Sequence, residues 1–253
     1  MQPKNITFGY LAEKKNAKIK EIPMPELAED ELLVKQEACN ICTTDYQQWL
    51  GLREHQGYPM AGGHECSGIV IAKGKAVGDT YQIGDRVSVL YDYCGYCDEC
   101  KFGEITNCEN KRQFGKNYSK EFYGIFGFAN YFVRKAKSFV KMRPTLSASE
   151  AAFVEPLSSV VQNMKKLRIV PAPEMAIQPN MIHYMRLEVI GTYASTLEDF
   201  YDAATLLNEG RVDVSKLIET KIPLMDIQKA FEIASTPGSY RVSVVLNEEG
   251  NKE

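Results

Sequence analysis

Four of the chain's seven cysteines lie in one short run: Cys94, Cys97, Cys100 and Cys108, in CGYCDECKFGEITNC. The C-x2-C-x2-C-x7-C spacing lets one loop wrap round a single ion, and zinc prefers four such soft ligands in a tetrahedron. The competing reading is a pair of disulfides or reactive thiols. The N-terminus, MQPKNITFGYLAEKKNAKIK, has no signal-like apolar core, so export by that route is not expected and disulfides are disfavoured. The run therefore reads as a closed zinc site, in a lobe covering about residues 91–113. Its role is structural, because four protein thiolates leave no position open for chemistry.

Composition narrows the partners. The 253 residues carry 30 basic and 33 acidic side chains, a net charge of −3, with no long run of one sign. That pattern argues against a nucleic-acid or anionic-membrane binder working by bulk charge. No stretch of about 18 apolar residues is present, so no bilayer-spanning helix is expected. A cytoplasmic globular protein is the expectation.

The remaining cysteines are Cys39, Cys42 and Cys66. Free cysteine is usually a core residue, and Cys39 and Cys66 read that way. Cys42 differs because of its neighbours, Thr43, Thr44 and Asp45. Histidine is scarce, limited to His55, His64 and His183. His64 stands between Gly63 and Glu65, ahead of an apolar strand. Glu155 lies in the apolar helical segment FVEPLS, where an unpaired carboxylate is costly. One thiolate, one imidazole and one carboxylate make a three-ligand zinc site with a fourth position open, which is a catalytic arrangement.

Gly63 to Val77 reads GHE-x2-G-x5-G-x2-V, and here the sequence resembles the zinc-containing medium-chain alcohol and polyol dehydrogenases. The four-cysteine lobe follows Gly84-Asp85-Arg86-Val87, and Glu155-Pro156-Leu157 follows the lobe. IHYMRLEVIGTYAST, LLNEGRVDVSKLI and PLMDIQKAFEIA resemble the C-terminal part of that family.

The resemblance implies a mainly β, α+β chain: a GroES-like, partly open β-barrel with a zinc-binding lobe. It implies two zinc ions, one in the lobe and a catalytic one held by Cys42, His64 and Glu155. Glu65 becomes the acidic neighbour able to approach the metal. Asp45 accepts a hydrogen bond from His64 and fixes its tautomer. Thr44 takes the proton from a small-molecule alcohol or polyol. Arg241 stands near the cofactor pyrophosphate and the active-site acids; a solvated strand-edge charge is its competing reading. Gln47 occupies a position where a proton-relaying histidine often stands, so proton release needs water, Glu65 or another route. Glu155, in place of a cysteine, leans toward the polyol and threonine dehydrogenase branch. Tyr46 and Trp49 could wall the pocket, although packing is the stronger reading for Trp49.

One part of the family pattern is missing. None of the 18 glycines forms G-x-G-x-x-G, the turn that seats a dinucleotide pyrophosphate on a helix N-terminus. The helical run ending in NMKKL passes directly into RIVPAPEMAIQPN, where βαβ units on the order of 100 residues should lie. The expectation is a single discontinuous GroES-like catalytic domain, residues 1–167 and 174–253 joined near 168–173, with no complete Rossmann domain. NAD(P) is the family's hydride acceptor, and nothing in this sequence is expected to hold it. Little or no dehydrogenase turnover is therefore expected from this chain alone. The alternative function is a non-enzymatic, zinc-stabilised binding or assembly domain.

Local patterns complete the expectation. ELLVKQEA, SGIVIA, DRVSVL, FANYFVRKA and YRVSVVLN read as strands. Ser147-x-x-Glu150 and Ser195-x-x-Glu198 read as capping boxes opening helices, with Pro156 breaking or kinking the first beside Glu155. Leu224, Ile227, Phe231 and Ala234 mark a third helix, ended by Pro237-Gly238. The apolar segment 187–193 reads as a strand without partners, through which two copies pair into a homodimer or which packs onto the barrel instead.

Overall fold

A computed structural model describes residues 3–53, 57–110, 119–166 and 195–247. The expected junction at 168–173, the pairing strand at 187–193, His55 and His183 lie outside the described residues.

The chain opens with a hairpin of β1 (Asn5–Glu13) and β2 (Asn16–Pro23). β3 (Glu31–Asn40) follows, and then α1 (Thr43–Leu50). Next come β4 (Glu65–Lys73) and β5 (Arg86–Val89). The cysteine lobe contains the short α2 (Asp98–Lys101). β6 (Tyr131–Lys135) and β7 (Phe139–Met142) lead into α3 (Ala148–Ala151) and α4 (Val154–Lys166). After residue 194 come α5 (Leu197–Asn208), β8 (Ile218–Pro223), α6 (Ile227–Ala234) and β9 (Arg241–Val245).

The main sheet runs β7-β5-β4-β3-β9-β8, and β3 is its organising strand. One edge of β3 pairs antiparallel with β4 along its length. The other edge pairs first with β6, over Glu31–Lys35, and then with β9, over Ala38–Asn40. With neighbours on both edges, β3 is buried almost throughout, against the hydrophobic-in, polar-out pattern of an exposed sheet. β8 and β9 are the one parallel pair among the described residues, and α6 is the helix that connects them. Among the described residues no pairing closes this strand path into a ring.

Two apolar clusters hold the helices to this sheet. Trp49 of α1 stacks on Phe231 of α6 at 6.2 Å between ring centroids, so its role is packing. Val154, Phe200 and Leu207 join α4 and α5 to Leu90, Val140 and Met142. The Ser147–Glu150 capping box is present. Pro156 does not kink a continuous helix: the chain breaks after Ala151, and Pro156 sits in the first turn of α4, where its missing N–H costs nothing. The box opening α5 is shifted by one residue from the expected pair. Thr196 and Asp199 form it, while Ser195 turns inward and accepts from Ser158 Oγ at 2.9 Å.

Candidate active site

The lobe cysteines converge as their spacing implies. All four sulfur atoms lie within 4.8 Å of one another, with Cys94–Cys100 at 3.9 Å and Cys97–Cys108 at 4.0 Å. A tetrahedron of sulfurs about 2.3 Å from zinc has edges of about 3.8 Å. Disulfide sulfurs would stand about 2 Å apart, so the disulfide alternative does not fit. Backbone N–H groups of Tyr96 and Cys97 donate to Cys94 Sγ at 3.5 and 3.3 Å. Burial opposes ionisation there, but these donors and Asn110 outweigh it and bring the Cys94 thiol down to about 6. Burial pushes Cys100 up to about 12, so a cation is what would hold both as thiolates.

The second cluster is assembled by three elements. Cys42 is the N-cap of α1, and the Asp45 carboxylate accepts the Cys42 backbone N–H at 3.0 Å. The same carboxylate accepts the Gly63 N–H at 3.1 Å and so ties α1 to the entrance of β4. Gly63 has φ +84°, and a Cβ there would stand 2.9 Å from both Cys39 Sγ and Phe128 N, so only glycine allows this approach. His64 and Glu65 are delivered by that turn. Cys42, His64 and Glu65 offer ligand atoms within 4.8 Å of one another.

Electrostatics favour a cation among them. Both Glu65 oxygens are buried and accept no hydrogen bond in the described structure. Arg241 Nη1 stands 3.2 Å from Glu65 Oε1 and donates to the Ile41 carbonyl at 3.0 Å. Burial and the neighbouring Cys42 nevertheless raise the Glu65 carboxyl well above its ordinary value. Burial also opposes the imidazolium of His64, but the Asp45 charge and the Cys42 hydrogen bond raise it well above its usual value. Cys42 is lowered against its own burial by the His64 hydrogen bond. Thiolate, imidazole and an otherwise unsatisfied buried carboxylate are a donor set that fits zinc.

Glu155 is not in the ligand-distance set. It lines the same cleft and accepts a hydrogen bond from Tyr91 Oη. The Asp45–His64 separation is 3.9 Å, an ion-pair distance rather than a hydrogen bond. Thr44 lines the cleft beside Cys42. Arg241 faces Glu65 from β9, with its guanidinium 5.5 Å from the Phe153 ring centroid. The cleft holds about 410 Å³. Tyr91 and Arg53 are among the cleft residues that sequence reasoning missed. Arg53 returns to the cleft after Gly51, whose φ of +75° ends α1, and its Nη1 donates to Thr44 Oγ1 at 3.4 Å.

Comparison with known proteins agrees with this geometry. The family model described as "Alcohol dehydrogenase GroES-like domain" matches residues 28–144. A sorbitol dehydrogenase of Bacillus subtilis (strain 168) is 27% identical over 210 residues, covering 81% of this chain and 56% of its own length. An alcohol dehydrogenase of Geobacillus stearothermophilus is 35% identical over 142 residues, covering 55% of this chain and 40% of its own. The chain thus spans about half the length of these curated relatives. Among solved structures, a cobalt- and zinc-bound thermostable alcohol dehydrogenase of Pyrobaculum aerophilum superposes with TM-score 0.75 at 19% identity, over 95% of this chain and 99% of that one. Its likeness establishes the fold. No described helix is long and apolar enough to cross a membrane. The four-cysteine cluster is a zinc site closed by its own thiolates, and Cys42, His64 and Glu65 form a second set able to hold zinc. Residues 28–144 match the alcohol dehydrogenase GroES-like domain, and the chain as a whole is similar to zinc-type alcohol and sorbitol dehydrogenases and shares their fold.

Proposed function

We propose that this chain is the zinc-bearing catalytic half of an alcohol or polyol dehydrogenase, closed on itself without the nucleotide-binding half. The observation that carries the reading is the three-donor set Cys42, His64 and Glu65 opening into a cleft beside Thr44. A structural zinc site has no use for an open position or an adjacent hydroxyl. Support for the missing half comes from α4 and α5, which pack through one apolar cluster while only residues 167–196 separate them in sequence. A dinucleotide-binding domain of two βαβαβ halves needs on the order of 100 residues.

Cys42, His64 and Glu65 would hold the catalytic ion, with Glu155 as the alternative carboxylate. Bound zinc supplies a Lewis acid that lowers the pKa of an alcohol hydroxyl. The chain's own residues do the rest. Asp45 fixes the Cys42 and Gly63 backbones and so holds two ligands at their spacing. Thr44 offers a hydroxyl at the cleft that would accept the alcohol's proton while passing its own on to solvent. Leu11, Met60, Phe128 and Phe231 give the cleft apolar walls that limit water. Hydride transfer needs a nicotinamide oriented close to the carbinol carbon, and the sequence offers no G-x-G-x-x-G turn to seat its pyrophosphate. Free thiols throughout the described chain fit a reducing, cytoplasmic setting.

Metal analysis tests the reading. Two zinc ions per chain are expected, falling to one in Cys42→Ser/His64→Ala with the fold intact. One zinc in the parent chain, unchanged in that variant, would contradict a catalytic site.

A further inference from the structure

The cleft beside the catalytic cluster is lined by two arginines. Arg241 is committed, to Glu65 and to the Ile41 carbonyl. Arg53 is not. Its hydrogen bond to Thr44 Oγ1 is long, at 3.4 Å, and its Nε is buried without a partner among the described residues. No carboxylate among the described residues stands within ion-pair distance of it. The acids of the cleft are each engaged elsewhere: Asp45 with Cys42 and Gly63, Glu65 facing Arg241, and Glu155 with Tyr91.

The position of Arg53 is also electrostatically unusual. Thr44 lies in the first turn of α1, where the helix dipole is positive. A guanidinium held there adds like charge to like. Removing a cation partly from water without a counter-ion is costly, and the usual compensation is an anion. A guanidinium is also the side chain best shaped for bidentate binding of a carboxylate or phosphate.

We propose that Arg53 is a specificity-determining residue, and that the alcohol accepted by this cleft carries an anionic group, a carboxylate or a phosphate, near its reacting hydroxyl. The inference rests on the zinc-and-alcohol reading of the site. Thr44 links the two: its hydroxyl faces the reacting oxygen in that reading and is one long hydrogen bond from Arg53. The anionic group therefore belongs within a few bonds of the carbinol carbon, as in a short hydroxy acid or a polyol phosphate. A neutral polyol would leave the guanidinium unpaired in the closed site.

The test uses the full chain with cobalt in place of zinc, because the visible spectrum of cobalt responds to ligands without any turnover. Propane-1,2-diol, 3-hydroxybutyrate and glycerol 1-phosphate are titrated, and affinities are measured by calorimetry on the zinc form. At least one anionic probe is expected to bind about tenfold or more tightly than the diol. Arg53→Gln should abolish that advantage over the diol, and Arg53→Lys should keep part of it. The better anionic probe tells carboxylate from phosphate. Circular dichroism checks that both variants fold. If the diol perturbs the cobalt spectrum but neither anion binds more tightly, or if Arg53→Gln keeps the advantage, the inference is overturned and the zinc-and-alcohol reading stands. If no probe perturbs the spectrum or binds, both fall.

Discussion

Lys165 Nζ lies 2.9 Å from the Asp199 carboxylate, bridging the end of α4 to the start of α5. The same ammonium reaches Asp202 at 2.7 Å and Glu198 at 3.4 Å. These residues flank residues 167–194, so the clasp ties together the two described segments on either side of that stretch.

The clasp should be visible as a pH-dependent contribution to stability. Burial would raise the Asp199 carboxyl, but the Thr196 N–H and the Lys165 ammonium outweigh it and hold the group below its ordinary value. A lowered carboxylate stabilises the fold above its unfolded value, near 3.9, and the contribution is lost as pH falls through the folded value. Lys165 is raised by its hydrogen bond to Asp202, so its contribution is full below about 10.4 and is lost as pH rises through its folded value. Asp199→Ala is expected to cost about 1–2 kcal/mol at pH 7, much of it from the helix cap, and less near pH 3. Lys165→Met, whose side chain is well exposed, should cost about 1 kcal/mol or less. Urea unfolding followed through the single tryptophan, Trp49, measures both.

Cys97→Ser should destabilise the chain by roughly 3 kcal/mol or more, because the ion held by the four cysteines contributes directly to folding. Thr44→Ala should change stability by no more than about 0.5 kcal/mol, since Thr44 is partly exposed and its one hydrogen bond is long. Thermal melts compare the two. The reverse order would mean that the roles are misassigned.

Asp45→Ala removes the acceptor shared by the Cys42 and Gly63 N–H groups. A loss of about 2 kcal/mol is expected. Zinc content should fall toward one ion per chain, because Cys42 and His64 lose their mutual spacing while the lobe is untouched.

What the sequence reveals depends on the range of each interaction. The lobe is legible because its ligands lie within one short loop. The helix cap at α5 is legible only to within one residue: Ser195-x-x-Glu198 and Thr196-x-x-Asp199 both fit the pattern. Tertiary structure decides between them, since Asp199 is buried and meets Lys165 whereas Glu198 is exposed. Glu65 reads as the neighbour of a ligand, and its own place in the cluster is set by the turn at Gly63. Arg53 carries no local signal except Gly51, which ends α1 and lets the chain fold back over Thr44. The segment 187–193, read as a pairing strand, lies outside the described residues.

The most direct test of a catalytic half without its cofactor half is titration of the zinc-loaded chain with NADH and NADPH, followed by nicotinamide fluorescence. No saturable binding is expected at concentrations up to about 1 mM, well above the micromolar affinities of a seated dinucleotide. Saturable micromolar binding of either nucleotide would contradict it, because a pyrophosphate site would then exist within these 253 residues.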